Sequence, residues 1–256
     1  MRHSSCTIML SASVPSKKRS AKYHLDYAKI PHAQLQIEEA VIGLARNIFQ
    51  AKGRIIFGGH PSISPLVASV ASEFNSDHEL EKSTRFTEYE KPVIIYQSRA
   101  YEPVIPQQTI NLLRSAYAEV NWTDARNGEI YDGSMDGNSQ CKASLEFMRR
   151  EMMKKPIDAL VCMGGMEGVE NEFDLFREIH SDKPIFLMMS TGGASKILAD
   201  TYAEVDTIRL PDSIDYQTTD SGRLKGENEP IKIIPYAYIT SQIVKEVLEI
   251  KSNHSR

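Results

Sequence analysis

Apolar residues along the chain fall into short continuous runs separated by longer stretches in which they recur every three or four positions. The runs "CTIMLSA", "RIIF", "KPVIIYQ", "IDALVCM" and "KPIFLMM" are aliphatic and lead into Gly, Ser or polar turns. Runs of this length predict strands, most simply strands buried on both faces. Between the first two, "AQLQIEEAVIGLARNIFQAKG" sets Leu35 or Ile37, Val41, Leu44, Ala45 and Ile48 at helical spacing and ends on Gly53, which reads as a helix stop. Further helices are predicted from Pro65 and over "TINLLRSAYAEV", "CKASLEFMRREMMKK", "GVENEFDLFREIH", "ASKILADTYAEV" and "YITSQIVKEVLEIK", with a weak strand at "VNWTD" and a further strand at "DTIRLP". "CTIMLSA" is expected to pass directly into a polar loop. Parallel neighbours need a crossover element between them. The alternation therefore predicts an α/β fold, a Rossmann-like doubly wound and mainly parallel sheet with helices on both faces.

At 256 residues, 41% of them hydrophobic, the chain can bury one substantial core, so a single domain over residues 1–256 is expected. Two polar segments interrupt the rhythm, "SDHELEKSTRFTEYE" and "PDSIDYQTTDSGRLKGENEP" (residues 211–230). Loop-length statistics favour solvated surface loops, with a lid over a ligand or a dimer contact as the alternative. A net charge of -4 and a pI near 6.0 leave no basic footprint and argue against nucleic acid as the main partner. Cys6, Cys141 and Cys162 are odd in number and lack CxxC spacing, which predicts neither a disulfide framework nor a zinc site and fits a cytoplasmic protein. No apolar run reaches the roughly 20 residues of a membrane span. Neither a membrane partner nor a metal is expected.

Four strand ends carry the unusual residues. In open α/β sheets ligands sit beyond the carboxyl ends of the strands. Here those ends read "LSASVPS" (Ser11, Ser13), "FGGHPSIS" (Gly58, Gly59, His60, Ser62), "MGGMEG" (Gly164, Gly165, Gly168) and "MSTGGAS" (Ser190, Thr191, Gly192, Gly193). Glycine lets backbone N–H groups approach a phosphate, and a following helix N-terminus supplies partial positive charge. Four such turns predict a phosphate-bearing ligand. None has the GK[ST] of a P-loop, and "GGHPSIS" lacks the third glycine of the dinucleotide fingerprint.

The third turn, preceded by "DALV" and continuing as "MGGMEGVENE", resembles the Pro-Gly-Gly-x-Gly-Thr-x-x-Glu motif of the Lonely Guy (LOG) phosphoribohydrolases, members of the SLOG superfamily that also contains the Smf/DprA proteins. Gly164, Gly165 and Gly168 match its glycines and Glu172 its glutamate. Arg149, nine positions before Asp158, matches the arginine of the preceding helix, with Arg150 beside it. Three points depart from the motif. Met163 replaces proline, Val169 replaces threonine, and either Met166 or Glu167 is an extra residue. The "GGHPSIS" turn is closer to the SLOG modules of bacterial nucleotide signalling and antiviral defence, some of which are receptors for NAD-derived or cyclic nucleotides. The resemblance thus implies either a nucleotide or NAD N-glycosidase, or a non-catalytic nucleotide sensor that signals through oligomerisation or a partner. It also implies a homodimer or higher homo-oligomer, and no cofactor.

Cleaving a ribosyl–base bond passes through an oxocarbenium-like state, which calls for a carboxylate near the sugar and an acid or base for water or the departing base. Glu172, a helical turn past Gly168, is the first candidate, with Glu167 or Glu170 as the second carboxylate. Arg149 or Arg150 would grip the phosphate. The two arginines lie about 100° apart on a helix, so only one can face the site, and the spacing to Asp158 selects Arg149. Each candidate has an ordinary structural role as its competitor: helix-dipole acids for the glutamates, a solvated helix face for the arginines, and a turn hydrogen bond for His60.

Overall fold

The computed structural model describes residues 5–81, 91–115, 117–133, 140–212 and 234–254. Among these, seven strands form one sheet: β1 (Thr7–Ser13), β2 (Arg54–Gly58), β3 (Val93–Ser98), β4 (Ala118–Thr123), β5 (Ala159–Gly164), β6 (Ile185–Met188) and β7 (Ile208–Arg209). Their spatial order is β4-β3-β2-β1-β5-β6-β7, and every pairing is parallel. The helices are α1 (Ala21–Tyr27), α2 (Ala33–Gln50), α3 (Ser64–Glu81), α4 (Gln107–Leu113), α5 (Lys142–Met152), α6 (Glu167–Ile179), α7 (Gly193–Tyr202) and α8 (Tyr236–His254). The expected α/β, doubly wound architecture is the observed one.

The period of two in the strands decides which layer each residue serves. Ile8, Leu10, Ile55, Phe57, Val161 and Met163 pack with α2, α3 and α8, whereas Met9, Ile56, Ile94, Leu160 and Cys162 pack with α5, α6 and α7. Phe173 and Phe176 of α6 are fully buried in the second layer, and burying a side chain of that size is worth about 2 to 3 kcal/mol. On the other layer, α2 and α8 approach closely at Gly43, where a Cβ would stand 3.0 Å from the Thr240 hydroxyl. Asn47 fastens the pair by donating to Ala237 O (3.0 Å) and Thr240 Oγ1 (2.8 Å). Asp158 is a structural pin: it accepts from Thr7 N and from Lys251 Nζ, both at 2.8 Å, and so joins the start of β1 to the end of α8.

Several elements differ from the sequence expectation. The stretch after β1 contains the short helix α1, anchored by Tyr23 and Tyr27 at 2% and 7% exposure. A single i, i+4 pair among charged residues is too short a pattern to announce a helix. α2 does end near Gly53, but the left-handed residue is Lys52 (φ 56°). Gly53 is required by packing, since its Cβ would lie 2.9 Å from both Cys6 O and Cys6 Sγ. α4 stops at Leu113, and "AEV" belongs to β4. β6 ends at Met188 and passes into a 3-10 turn, Met189–Thr191. α3 runs to Glu81, into the first polar segment; residues 82–90, and 213–230 of the second, lie outside the described residues. All three cysteines are free and buried. No helix among the described residues is long and apolar enough to cross a membrane.

Candidate functional site

The strand order reverses between β1 and β5, and the connections on either side leave in opposite directions. A crevice results at the carboxyl ends of these two strands. A cavity of about 500 Å³ occupies this position, within the roughly 300 to 1,000 Å³ range usual for small-molecule sites. One wall is formed by the ends of β1 and β2 and the first turns of α6. The other is formed by the β3–β4 connection and the segment that follows β4, and α5 joins the first wall.

The first and third turns meet at the base of the crevice. Ser13 lines the cavity, and its carbonyl accepts from Gly165 N at 2.7 Å. Ser11 lies deeper, 1% exposed, and its hydroxyl donates to Glu172 Oε2 at 2.5 Å. The other carboxylate oxygen, Oε1, accepts from Arg149 Nε at 3.3 Å, in an ion pair whose side chains are only 10% and 13% exposed. Gly168 makes room for this pair, because a Cβ there would meet Arg149 Nη2 at 3.2 Å. Arg149, Gly168 and Glu172 all line the cavity. Arg150, a third of a turn round the helix, pairs on the surface with Glu146 and Glu178.

Gly164 and Gly165 hold positive φ (58° and 88°), a conformation L side chains rarely adopt, and they shape the turn from beneath the cavity. Their N–H groups are already used, Gly164 N donating to Thr191 Oγ1 at 2.7 Å and Gly165 N to Ser13 O. The donors left over are at the start of α6. Met166 caps that helix without a side-chain bond, and the N–H groups of Glu167 and Gly168 have no acceptor among the described residues. With the helix dipole behind them, these donors could receive an anion at this end of the cavity. Val169, where the motif has threonine, is buried at 3% exposure and fills the space beside Gly165. Glu167 lines the cavity, whereas Glu170 faces α1, accepting from Tyr23 Oη at 2.6 Å and Lys22 Nζ at 2.9 Å. Burial, and then the bond to Glu170, raises the Tyr23 pKa.

In the second turn, Gly58, Gly59 and His60 line the cavity. Gly59 is forced by packing, for a Cβ there would overlap Gln97 Oε1 at 2.0 Å. Ser62, expected to bind ligand, does not line the cavity: its N–H donates to His60 Nδ1 at 3.3 Å and its hydroxyl lies 2.9 Å from the same atom. Nδ1 is therefore the acceptor and the ring proton sits on Nε2. Burial, reinforced by the positive charge of Arg19, lowers the His60 pKa from 6.5 to about 4. Between these values the unfolded chain takes up a proton that the folded one refuses, so stability falls as pH drops from 6.5 towards 4. Urea titrations across this window should show that loss, and His60→Asn should flatten it; an unchanged slope would contradict the assignment.

The fourth turn does not reach the cavity. Ser190 is bound to Asp212 through both its N–H (2.7 Å) and its hydroxyl, and to Tyr236 Oη at 2.8 Å. Thr191 Oγ1 bridges Gly164 N and Met188 O. Gly192 and Gly193 lie at positive φ, packed respectively against α1 with Ile30 and against Gly164, Gly165 and Pro15. These residues brace the third turn from behind. Conversely, Arg19, Gln97, Tyr101, Thr109 and Tyr131 line the cavity without having been singled out in the sequence. The basic run "SKKRS" was a signal for Arg19; the others lie in irregular or short elements with no motif. Among the described residues no group of three His, Cys, Asp or Glu side chains could hold a metal ion.

Comparison with curated proteins yields no match. Among solved structures, the X-ray structure of TM1055 superposes with a TM-score of 0.42 at 13% identity, over 76% of this chain and 81% of that one. The model of the SLOG cluster3 family matches residues 26–220, a span that takes in the second turn and the whole of the Arg149, Gly164–Gly165 and Glu172 constellation, and the chain belongs to that family.

Proposed function

We propose that the chain binds a nucleotide or NAD-derived molecule in the cavity at the β1/β5 crevice and hydrolyses its N-glycosidic bond. The observation that carries this reading is the Arg149–Glu172 pair, held by Ser11, beside the unbonded N–H groups that open α6. A phosphate on those N–H groups would place the attached ribose against the wall that carries Glu172. The carboxylate would then face the positive charge that develops on the anomeric carbon as the bond to the base breaks. Water adds to that carbon as the bond to the nucleobase breaks, its proton passing to a cavity-wall carboxylate such as Glu167 and from there to the departing nucleobase. His60, neutral at pH 7 and carrying its proton on Nε2, would serve as a hydrogen-bond donor.

The second reading is a sensor that holds its ligand intact. It is favoured by the engagement of both Glu172 oxygens and by the loss of the motif's threonine hydroxyl at Val169. Its output would be a change in homo-oligomer size or in a partner. The test is incubation with nucleoside monophosphates, NAD, ADP-ribose and cyclic nucleotides, with chromatography for free base and light scattering for assembly. We expect base release by the parent protein and a loss of at least about a hundredfold in Glu172→Gln, the usual scale for removing a positioned catalytic group. Ligand recovered intact from the parent protein would reject hydrolysis and leave the sensor.

A further inference from the structure

The two walls of the cavity differ in kind. Arg19, His60, Arg149, Glu167 and Glu172 all belong to the wall of β1, β2, α5 and α6. The facing wall, contributed by residues 101–109 and 131–133, has no charged residue among those lining the cavity. Its surface is Tyr101, Val104, Ile105, Pro106 and Tyr131, with the two tyrosine rings packed at 4.9 Å between centroids. In this wall sits Thr109, 2% exposed, whose hydroxyl has no hydrogen-bond partner among the described residues. Thr123 and Ser195 are also unpartnered, but neither lines the cavity. A threonine in a helix ordinarily satisfies itself on the carbonyl three or four residues back, and Thr109 in the first turn of α4 does not. A buried polar atom without a partner is a standing cost in a folded protein, which a ligand atom or an ordered water can remove.

We infer that the wall formed by residues 101–109 and 131–133 is the subsite for a neutral, flat heteroaromatic ring, with the Thr109 hydroxyl as a hydrogen-bonding partner for that ring. The inference rests on the nucleotide reading and assigns the base to this wall and the sugar phosphate to the charged one. Apolar and aromatic surface suits the faces of such a ring. A hydroxyl that can donate or accept suits a heteroatom on its edge. The absence of a charged group among the lining residues excludes a permanently anionic fragment from this side of the cavity.

Calorimetric titration of Thr109→Val and Thr109→Ser with nucleoside 5'-monophosphates and with ribose 5-phosphate tests this. Valine keeps the shape and removes the hydroxyl, whereas serine keeps the hydroxyl. We expect Thr109→Val to bind the nucleotides about tenfold more weakly, the effect of one lost hydrogen bond. Thr109→Ser should stay near the parent affinity, and both variants should bind ribose 5-phosphate as the parent does. The melting temperature of Thr109→Val should be unchanged or higher, since the unpartnered hydroxyl is gone. Nucleotide affinity equal in Thr109→Val and the parent would overturn the assignment while leaving nucleotide binding intact. An equal loss for ribose 5-phosphate would overturn it as well, by showing a general disturbance of the cavity. Failure of every nucleotide to bind the parent protein would overturn the functional reading and this subsite together.

Discussion

Arg149→Met is expected to lower the stability of the protein by about 3 kcal/mol, and the double variant Arg149→Met/Glu172→Met to recover most of that loss. The Glu172 side chain is 13% exposed, and Arg149 is the cation that faces its carboxylate. Removing the arginine leaves a buried acceptor with the Ser11 hydroxyl as its remaining bonded neighbour. Removing both partners replaces an ion pair with apolar volume, which proteins tolerate far better than a single uncompensated charge. Chemical denaturation of the two single variants and the double variant closes the cycle. A coupling free energy near zero would mean that the pair is not held as a unit and that Arg149 does not fix Glu172 at the cavity wall.

Gly193→Ala should be still more damaging than its size suggests, by about 3 kcal/mol or more. The residue has φ 61°, and an added Cβ would lie 2.6 Å from Gly165 O, 2.8 Å from Pro15 Cγ and 2.9 Å from Gly164 C. Two of those contacts are backbone atoms of the third turn, which cannot move aside cheaply. Ala194 N also donates to Gly165 O at 3.0 Å, so the disturbance falls on the turn that precedes α6. Gly128→Ala is the control: its φ is 69°, but an added Cβ has nothing within 4 Å. It should cost only the about 1 kcal/mol of the left-handed conformation. Thermal unfolding of the two variants separates strain from collision, and equal losses would show that the fourth turn does not brace the third.

These two positions also show where sequence could be read and where it could not. β3, β5 and β6 announce themselves because a strand covered on both faces has to be apolar at every position, and "VIIY", "ALVCM" and "IFLM" are. Arg149 and Glu172 were legible because each is fixed relative to a strand with an unmistakable end, and the structure brings them together. The glycines were ambiguous for a physical reason. A missing Cβ records only that something stands close by, a ligand or the chain itself. At Gly59 it is Gln97, and at Gly193 it is Gly164 and Gly165. Tyr101, Thr109 and Tyr131 were invisible because they reach the cavity from a 3-10 turn, a seven-residue helix and an irregular segment, none of which has a periodicity to betray its inward face.

The pairing of β1 with β5, in which Ser11 stands opposite Cys162 and Ser13 opposite Gly164, has a consequence for biosynthesis. Ser11 and Glu172 are separated by 161 positions, so no local event can bring them together. A chain emerging from the ribosome can stack β1 to β4 early, but the free side of β1 then offers a row of unpaired backbone groups until β5 arrives. The crevice and the closure of that adhesive edge are one event, late in translation. Fragments that end before residue 159 should therefore be prone to self-association as well as empty of ligand, and a ligand that spans β1 and α6 would act as a folding chaperone for its own receptor.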